Sequence, residues 1–220
     1  MSRLLALLMC AFMPLVGVHP LQLAVPEPAA AAVEPDRQLL AVYGDSFAAG
    51  YLRDGVGEAN WATLVARALG MDVANDAVPG SGYVAGQVST YPYAATTWPE
   101  PTAAVTVVFG GINDTPMPVA SVAMAATVTY ATIRRAAPGS ALVVVGPQWA
   151  TSTPTPAQAA LTRAVRAAAA AAGAVWVDPS GWLAGRPSLL GADGLHPSDE
   201  GHQVIAERLQ PIVAAALPHR

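Results

Sequence analysis

Four histidines occur in the sequence, and two of them stand where a folded domain could use them as a base. His19 lies in an N-terminal apolar stretch and His219 is the penultimate residue, which leaves His196 and His202. His196 follows Asp193 by three residues, in a loop whose Gly194 and Pro197 should hold the backbone in a bend. That spacing lets the carboxylate reach one imidazole nitrogen while the other faces a cleft, the arrangement a serine hydroxyl needs to lose its proton near neutral pH. His202 falls in the first turn of the last expected helix and reads better as a packing or capping residue, so His196 is the expected general base. Ser46, in Gly44–Asp45–Ser46–Phe47 after an apolar run, would present its hydroxyl at a sheet edge. Taken alone it would read as an ordinary turn or helix-capping serine. Asn113 alone reads as turn chemistry, and Gly80 and Asp193 could each merely serve a turn.

The elements that must position these groups alternate along the chain. Leu39–Tyr43, Met71–Asn75, Val105–Phe109, Ala141–Val145 and Ala174–Val177 are short valine-rich runs bounded by Gly, Pro, Asp or Asn. Such runs suit strands buried on both faces. Between them lie helical stripes: Trp61, Leu64, Val65 and Ala68; Val122, Ala126, Tyr130 and Ile133; Leu161, Val165 and Ala169; and Val204, Ile205 and Leu209, where Pro211 should break or kink the helix. The alternation predicts an α/β fold, a three-layer α/β/α sandwich with a central, five-stranded parallel sheet. In such a sheet ligands bind beyond the carboxyl ends of the strands, and four of the five runs end in a polar or glycine-rich segment there.

Four of those segments, taken in order, resemble the sequence blocks of the SGNH hydrolases, the GDSL-like esterases and lipases. They are Gly44–Asp45–Ser46, the glycine block around Gly80 that follows Asn75, Gly111–Ile112–Asn113–Asp114, and Asp193 with His196. The resemblance runs from about Leu39 to Leu217. It implies the flavodoxin-like fold of that family, with Ser46 as nucleophile, His196 as base and Asp193 as the partner that orients it. It also implies an oxyanion hole made of the Ser46 and Gly80 backbone N–H groups and the Asn113 side-chain amide, donors aimed where a tetrahedral intermediate gathers charge. Glycine at position 80 would allow close backbone approach, and Asp45 and Asp114 would hold loops rather than react. Phe47 departs from the leucine of the family's named motif, which should alter packing and not chemistry.

Other chemistries fit less well. A Gly-x-Ser-x-Gly elbow is missing around Ser46. Gly80–Ser81–Gly82 with Gly86 comes near a dinucleotide fingerprint, but its third glycine falls one residue late. All eleven basic residues are arginine, which removes Walker-type phosphate loops and Schiff-base enzymes. Net charge is −4, so nucleic-acid binding has no electrostatic support. No metal constellation stands out and no cofactor is expected.

The N-terminus has a basic start at Arg3, an apolar run from Leu4 to Val18 and small residues ending in Ala29–Ala32. That is the layout of a secretory signal peptide at 1–32, followed by a linker at 33–38, a hydrolase domain at 39–217 and a short tail at 218–220. The apolar run is shorter than the roughly 20 residues a bilayer span needs, so no stable span is expected in the mature chain. Secretion or retention in the cell envelope follows as the expected location. Cys10, the single cysteine, lies within that segment, leaving the mature chain without disulfides. Tyr83, Tyr91, Tyr93, Trp98 and Trp149 crowd the segments after the second and fourth strands; Tyr83, Trp98 and Trp149 are the candidate substrate contacts, against the alternative that they cover the core. The expected partner is a small-molecule, lipid or carbohydrate ester, with short-chain acyl esters and acetylated carbohydrates favoured, and the expected state is a monomer. Two alternatives are an acyltransferase using the same groups and a non-catalytic glycan- or cell-wall-binding domain.

Overall fold

The structure, a computed structural model, describes residues 37–149, 151 and 153–218. The expected signal peptide, most of the linker and the last two residues of the tail lie outside the described residues. Five parallel strands form one sheet in the order β2-β1-β3-β4-β5. They are β1 (Leu39–Gly44), β2 (Asp72–Asn75), β3 (Ala103–Phe109), β4 (Ala141–Val145) and β5 (Val175–Val177). The helices are α1 (Ser46–Ala49), α2 (Trp61–Leu69), α3 (Tyr91–Thr97), α4 (Val119–Ala136), α5 (Pro156–Ala171) and α6 (Asp199–Ala216).

Alternate residues of the central strands feed two cores. Leu40, Val42, Val105, Val107, Val143 and Val145 pack on one face against Trp61 and Val65 of α2 and Ile205, Leu209 and Val213 of α6. Tyr43, Val108, Leu142 and Val144 pack on the other against Val122, Ala126 and Tyr130 of α4 and Leu161 and Val165 of α5. Full burial of each such side chain stabilises the fold by about 1.5–3 kcal/mol, which is why β1, β3 and β4 are continuous apolar runs. β2 and β5 depart from the expected burial on both faces: Asp72 and Asn75 at the ends of β2 are exposed, as is Val175 of β5. Both are edge strands, so each is covered along one side only.

Helix boundaries follow local chemistry. Asn60 caps α2 by accepting from Ala62 N–H, and Gly70 ends it in the left-handed conformation. Thr155 and Gln158 form a reciprocal capping box on α5, and Ser198 caps α6 through Gly201 N–H. The α2 stripe is rotated from the expected one: Trp61, Ala62, Val65 and Ala66 are buried while Ala68 is exposed. Position 68 is taken to the outer face because α2 lies against both the sheet and α6. Pro211 lies inside α6 without ending it. It is exposed, so the carbonyl left without a helical donor can turn to water. The aromatic segment after β2, expected as a Pro-rich loop, contains the short helix α3, with Pro92 in its first turn.

The strand order reverses between β1 and β3, which lie side by side with Gly44 opposite Phe109. A crevice opens there beyond the strand ends, because the following chain segments leave in opposite directions. Ser46 follows β1 and Asn113 follows β3, so both flank that crevice.

Candidate active site

Asp45 and Ser46 turn the chain directly from β1 into α1. The Asp45 carboxylate accepts from Phe47 N–H (2.9 Å) and Gly111 N–H (3.1 Å), and the Tyr91 hydroxyl donates to it at 3.1 Å. This one fully buried side chain therefore ties the loop after β1 to the loop after β3. Burial pushes its pKa up to about 6, while the two N–H donors pull the other way. Asp114 does the same for the loop after β2, accepting from the backbone N–H groups of Tyr83, Val84 and Ala85 at 2.7–2.8 Å. Both aspartates thus hold loops, as expected of them.

His196 and Asp193 sit in a ten-residue excursion closed at its base by Ser198 N–H to Leu189 O (2.9 Å) and Gly191 N–H to His196 O (2.8 Å). The capped start of α6 follows at once, anchoring the loop to the core. His196 Nε2 lies 2.7 Å from Ser46 Oγ. Its Nδ1 lies 2.5 Å from Asp193 Oδ2. Asp193 Oδ1 accepts from the N–H groups of Leu195 and His196 at 2.9 and 3.0 Å. The bond to His196 is the main cause of a carboxyl pKa lowered to about 2. Above that pH the carboxylate is charged and can only accept, so it selects the tautomer with hydrogen on Nδ1 and leaves Nε2 free to receive the serine proton.

Asn113 donates one amide hydrogen to Ser81 O at 2.8 Å, which fixes the amide and leaves its second hydrogen for a ligand. Gly80 has φ +80°, and a Cβ there would meet no atom within 4 Å. Glycine is required at this position by the backbone conformation, a stronger reason in the free protein than the close approach expected for it.

Three aromatic expectations meet different outcomes. Tyr83 is 1% exposed, with its hydroxyl 2.5 Å from that of Tyr130 inside the α4 core; the expectation of a substrate contact there is corrected. Trp98 ends α3 with its ring exposed against Tyr93. It lines neither the cavity beside His196 nor the slot beside Phe47. Trp149 is buried, donates to Thr162 Oγ1 at 3.2 Å and lines a narrow slot with Phe47, Leu183, Leu190 and Leu195. Phe47, the departure from the family motif, also lies 5.6 Å from the His196 ring.

The sequence did not signal Tyr51. Its ring stacks on the His196 imidazole, with centroids 3.9 Å apart and planes 23° from parallel. It stands five residues after Ser46 with no periodicity linking it to His196, so only the folded loop brings the rings together. His202 proves to be structural. It is fully buried, and its Nδ1 accepts from Trp61 N–H at 3.3 Å, capping α2 from α6. Gly55 packs its α-carbon on the same ring, where any Cβ would overlap His202 Nε2.

Burial lowers the His202 pKa to about 4, although Asp199 opposes the shift. The unfolded imidazole takes a proton near 6.5. The His202 contribution to stability is therefore complete above about pH 6.5 and is lost as pH falls through about 4. Asp45 acts in the opposite sense: its contribution is complete below the unfolded carboxyl value and is lost as pH rises through about 6. A His202→Asn variant, which keeps an acceptor for Trp61 N–H, isolates the first effect. The stability gap between parent and variant should shrink by up to about 1.4 kcal/mol per pH unit from pH 6.5 toward 4.5. Urea unfolding at both pH values checks this; a gap independent of pH would refute it.

A doubly wound α/β domain with a hydroxyl, an imidazole and a carboxylate in line at its switch point has the form of an enzyme of acyl transfer. The comparisons with known proteins narrow that class. Residues 42–204 match the GDSL-like Lipase/Acylhydrolase family. GDSL lipase Rv0518 of Mycobacterium tuberculosis is 33% identical over 190 residues, covering 81% of this chain and 82% of that protein. The lipase/acylhydrolase from Enterococcus faecalis shares the fold at TM-score 0.65 and 20% identity, over 83% of this chain and 98% of its own. A family two carbohydrate esterase from Clostridium thermocellum, in complex with cellohexaose, shares it at TM-score 0.68 and 18% identity, over 84% of this chain and 66% of its own. The chain belongs to the GDSL-like lipase/acylhydrolase family and is a carboxylic ester hydrolase.

Proposed function

We propose that this chain is an exported serine esterase that works through an acyl-enzyme on Ser46. The observation that carries it is the unbroken line from Ser46 Oγ to His196 Nε2 (2.7 Å) and from His196 Nδ1 to Asp193 Oδ2 (2.5 Å). Ser46 Oγ attacks the ester carbonyl carbon and passes its proton to His196 Nε2. The resulting oxyanion is held by the Ser46 and Gly80 N–H groups and the free Asn113 amide hydrogen. Collapse breaks the bond to the alcohol oxygen, which takes the proton from His196. Water then repeats the sequence against the acyl-enzyme, releasing the acid and restoring Ser46.

A short acyl group is the favoured substrate. The slot lined by Phe47, Gln148, Trp149, Leu183, Leu190 and Leu195 encloses only about 10 Å³, about the space of a single water. Export is supported by the signal-peptide layout of residues 1–32 ahead of the hydrolase domain at 39–217. Among the described residues no helix is long and apolar enough to cross a membrane.

The test uses nitrophenyl esters of increasing acyl length. The protein should turn over acetyl esters best, and Asn113→Ala should lower kcat by about 10²–10³ with the thermal transition retained. No turnover of any ester, or full activity in a well-folded Asn113 variant, would refute the assignment.

A further inference from the structure

Acyl transfer through Ser46, His196 and Asp193 leaves one close neighbour of the base without a role. Tyr51 lays its ring on the His196 imidazole, with centroids 3.9 Å apart and planes 23° from parallel. Phe47 also meets that imidazole, but at 5.6 Å and tilted by 43°. Tyr51 therefore covers a face of the imidazole, while Ser46 and Asp193 meet its two nitrogens at the edge.

The ring is carried by a turn fastened both to the core and to the base loop. Tyr51 and Asp54 exchange two backbone hydrogen bonds, 3.0 and 3.1 Å. Leu52 in that turn has φ +56°, a conformation costly for a leucine and kept only where the surroundings hold it. Gly55 N–H donates to Asp199 Oδ1 (2.7 Å) and Asn60 Nδ2 to Gly55 O (2.8 Å), which ties the turn to the starts of α6 and α2. Asp54 reaches the base loop as well, since a Cβ added at Gly191 would stand 2.7 Å from Asp54 Oδ2. Gly191 N–H in turn donates to His196 O at 2.8 Å. The turn thus meets the base loop twice, at Gly191 and at the imidazole itself.

Two requirements of the reaction give such a ring face something to do. The imidazole must take a proton from Ser46 Oγ and hand it to the departing oxygen, a small displacement within its own plane. A stacked neighbour leaves that motion free and blocks the tilt that would carry Nε2 out of line with Ser46. The second requirement is charge, because the imidazole becomes a cation as the serine attacks. The face of an aromatic ring attracts a cation lying within about 6 Å of its centroid. The neutral imidazole gains less, so the ring favours the transition state over the resting enzyme. The His196 side chain is only 14% exposed, which limits how far water screens that attraction. We infer that Tyr51 is a positioning residue of the reaction: its ring face holds His196 in line with Ser46 and stabilises the imidazolium, and so raises kcat. The inference rests on the serine esterase reading above, whose base it acts through.

The experiment compares the parent with Tyr51→Phe, Tyr51→Leu and Tyr51→Met. It measures turnover of 4-nitrophenyl acetate and the rate at which a fluorophosphonate labels Ser46. Tyr51 is 36% exposed, so the variants should keep the parent's thermal transition. Leucine and methionine differ in shape, so either one decides the matter if the other fails to fold. Tyr51→Phe keeps the ring face and should stay within threefold of the parent in both rates. Tyr51→Leu and Tyr51→Met cover the imidazole without a π face and should lower kcat and the labelling rate about tenfold. KM should stay within twofold, because acylation and deacylation both pass a proton through His196. A folded leucine or methionine variant as fast as the parent would overturn the inference. So would a loss confined to KM, or a Tyr51→Phe variant slowed as much as the other two. A parent that neither hydrolyses the ester nor takes up the probe would instead overturn the serine esterase reading itself.

Discussion

Ser46→Ala should lower kcat on nitrophenyl acetate by up to about 10⁶, leaving only the residual rate that binding and oxyanion donors supply without a nucleophile. The size of the effect follows from the geometry. Ser46 Oγ is the atom placed 2.7 Å from His196 Nε2, and alanine leaves the imidazole with nothing to deprotonate at that distance. The fold should hardly respond, since the lost oxygen points to the imidazole and the turn is secured by Asp45 through Phe47 and Gly111. A fluorophosphonate probe should add its mass to the parent at Ser46 and leave the variant unlabelled. Comparable turnover by both proteins, each folded by its thermal transition, would remove Ser46 from the chemistry.

The second large effect is expected at Asp193. Asp193→Asn should reduce kcat by about 10⁴, by analogy with the loss seen when the carboxylate of a serine–histidine–aspartate triad is neutralised. The bonds in this site give the reason. Asp193 Oδ1 accepts from two backbone N–H groups, while Oδ2 faces His196 Nδ1. An asparagine has one oxygen, and the two N–H groups claim it. Its NH₂ must then face Nδ1 and donate, which puts the imidazole hydrogen on Nε2 and leaves no acceptor for the Ser46 proton. Activity within tenfold of the parent, with urea stability near that of the parent at pH 7, would show that Asp193 holds only its loop.

The sequence made much of this site legible because the decisive signals are local. A valine-rich run ending in Gly44–Asp45–Ser46 reports a buried strand and its turn within a few residues. Asp193 and His196 lie three apart, so their contact needs only one bend. The stripes Val122, Ala126, Tyr130 and Leu161, Val165, Ala169 likewise match buried faces, since a helix repeats its own geometry. The α2 stripe shows the limit of that logic. Periodicity identifies a helix, but the rotation that buries Ala62 and Ala66 and exposes Ala68 depends on which neighbours it meets.

What the sequence by itself determined is the kind of fold, the order of the strands along the chain and the residues that could supply nucleophile, base and carboxylate. Tertiary structure decided what surrounds them. It sent Tyr83 into the core beside Tyr130, stacked Tyr51 on His196 and turned His202 into the cap of α2. The physical reason is range. Strand runs, caps and short loops are fixed by interactions among neighbours in sequence, whereas a residue's exposure and ring contacts are set by segments distant in sequence, 47 positions apart for Tyr83 and Tyr130 and 141 for His202 and Trp61, brought together only when the sheet and both helix layers have closed.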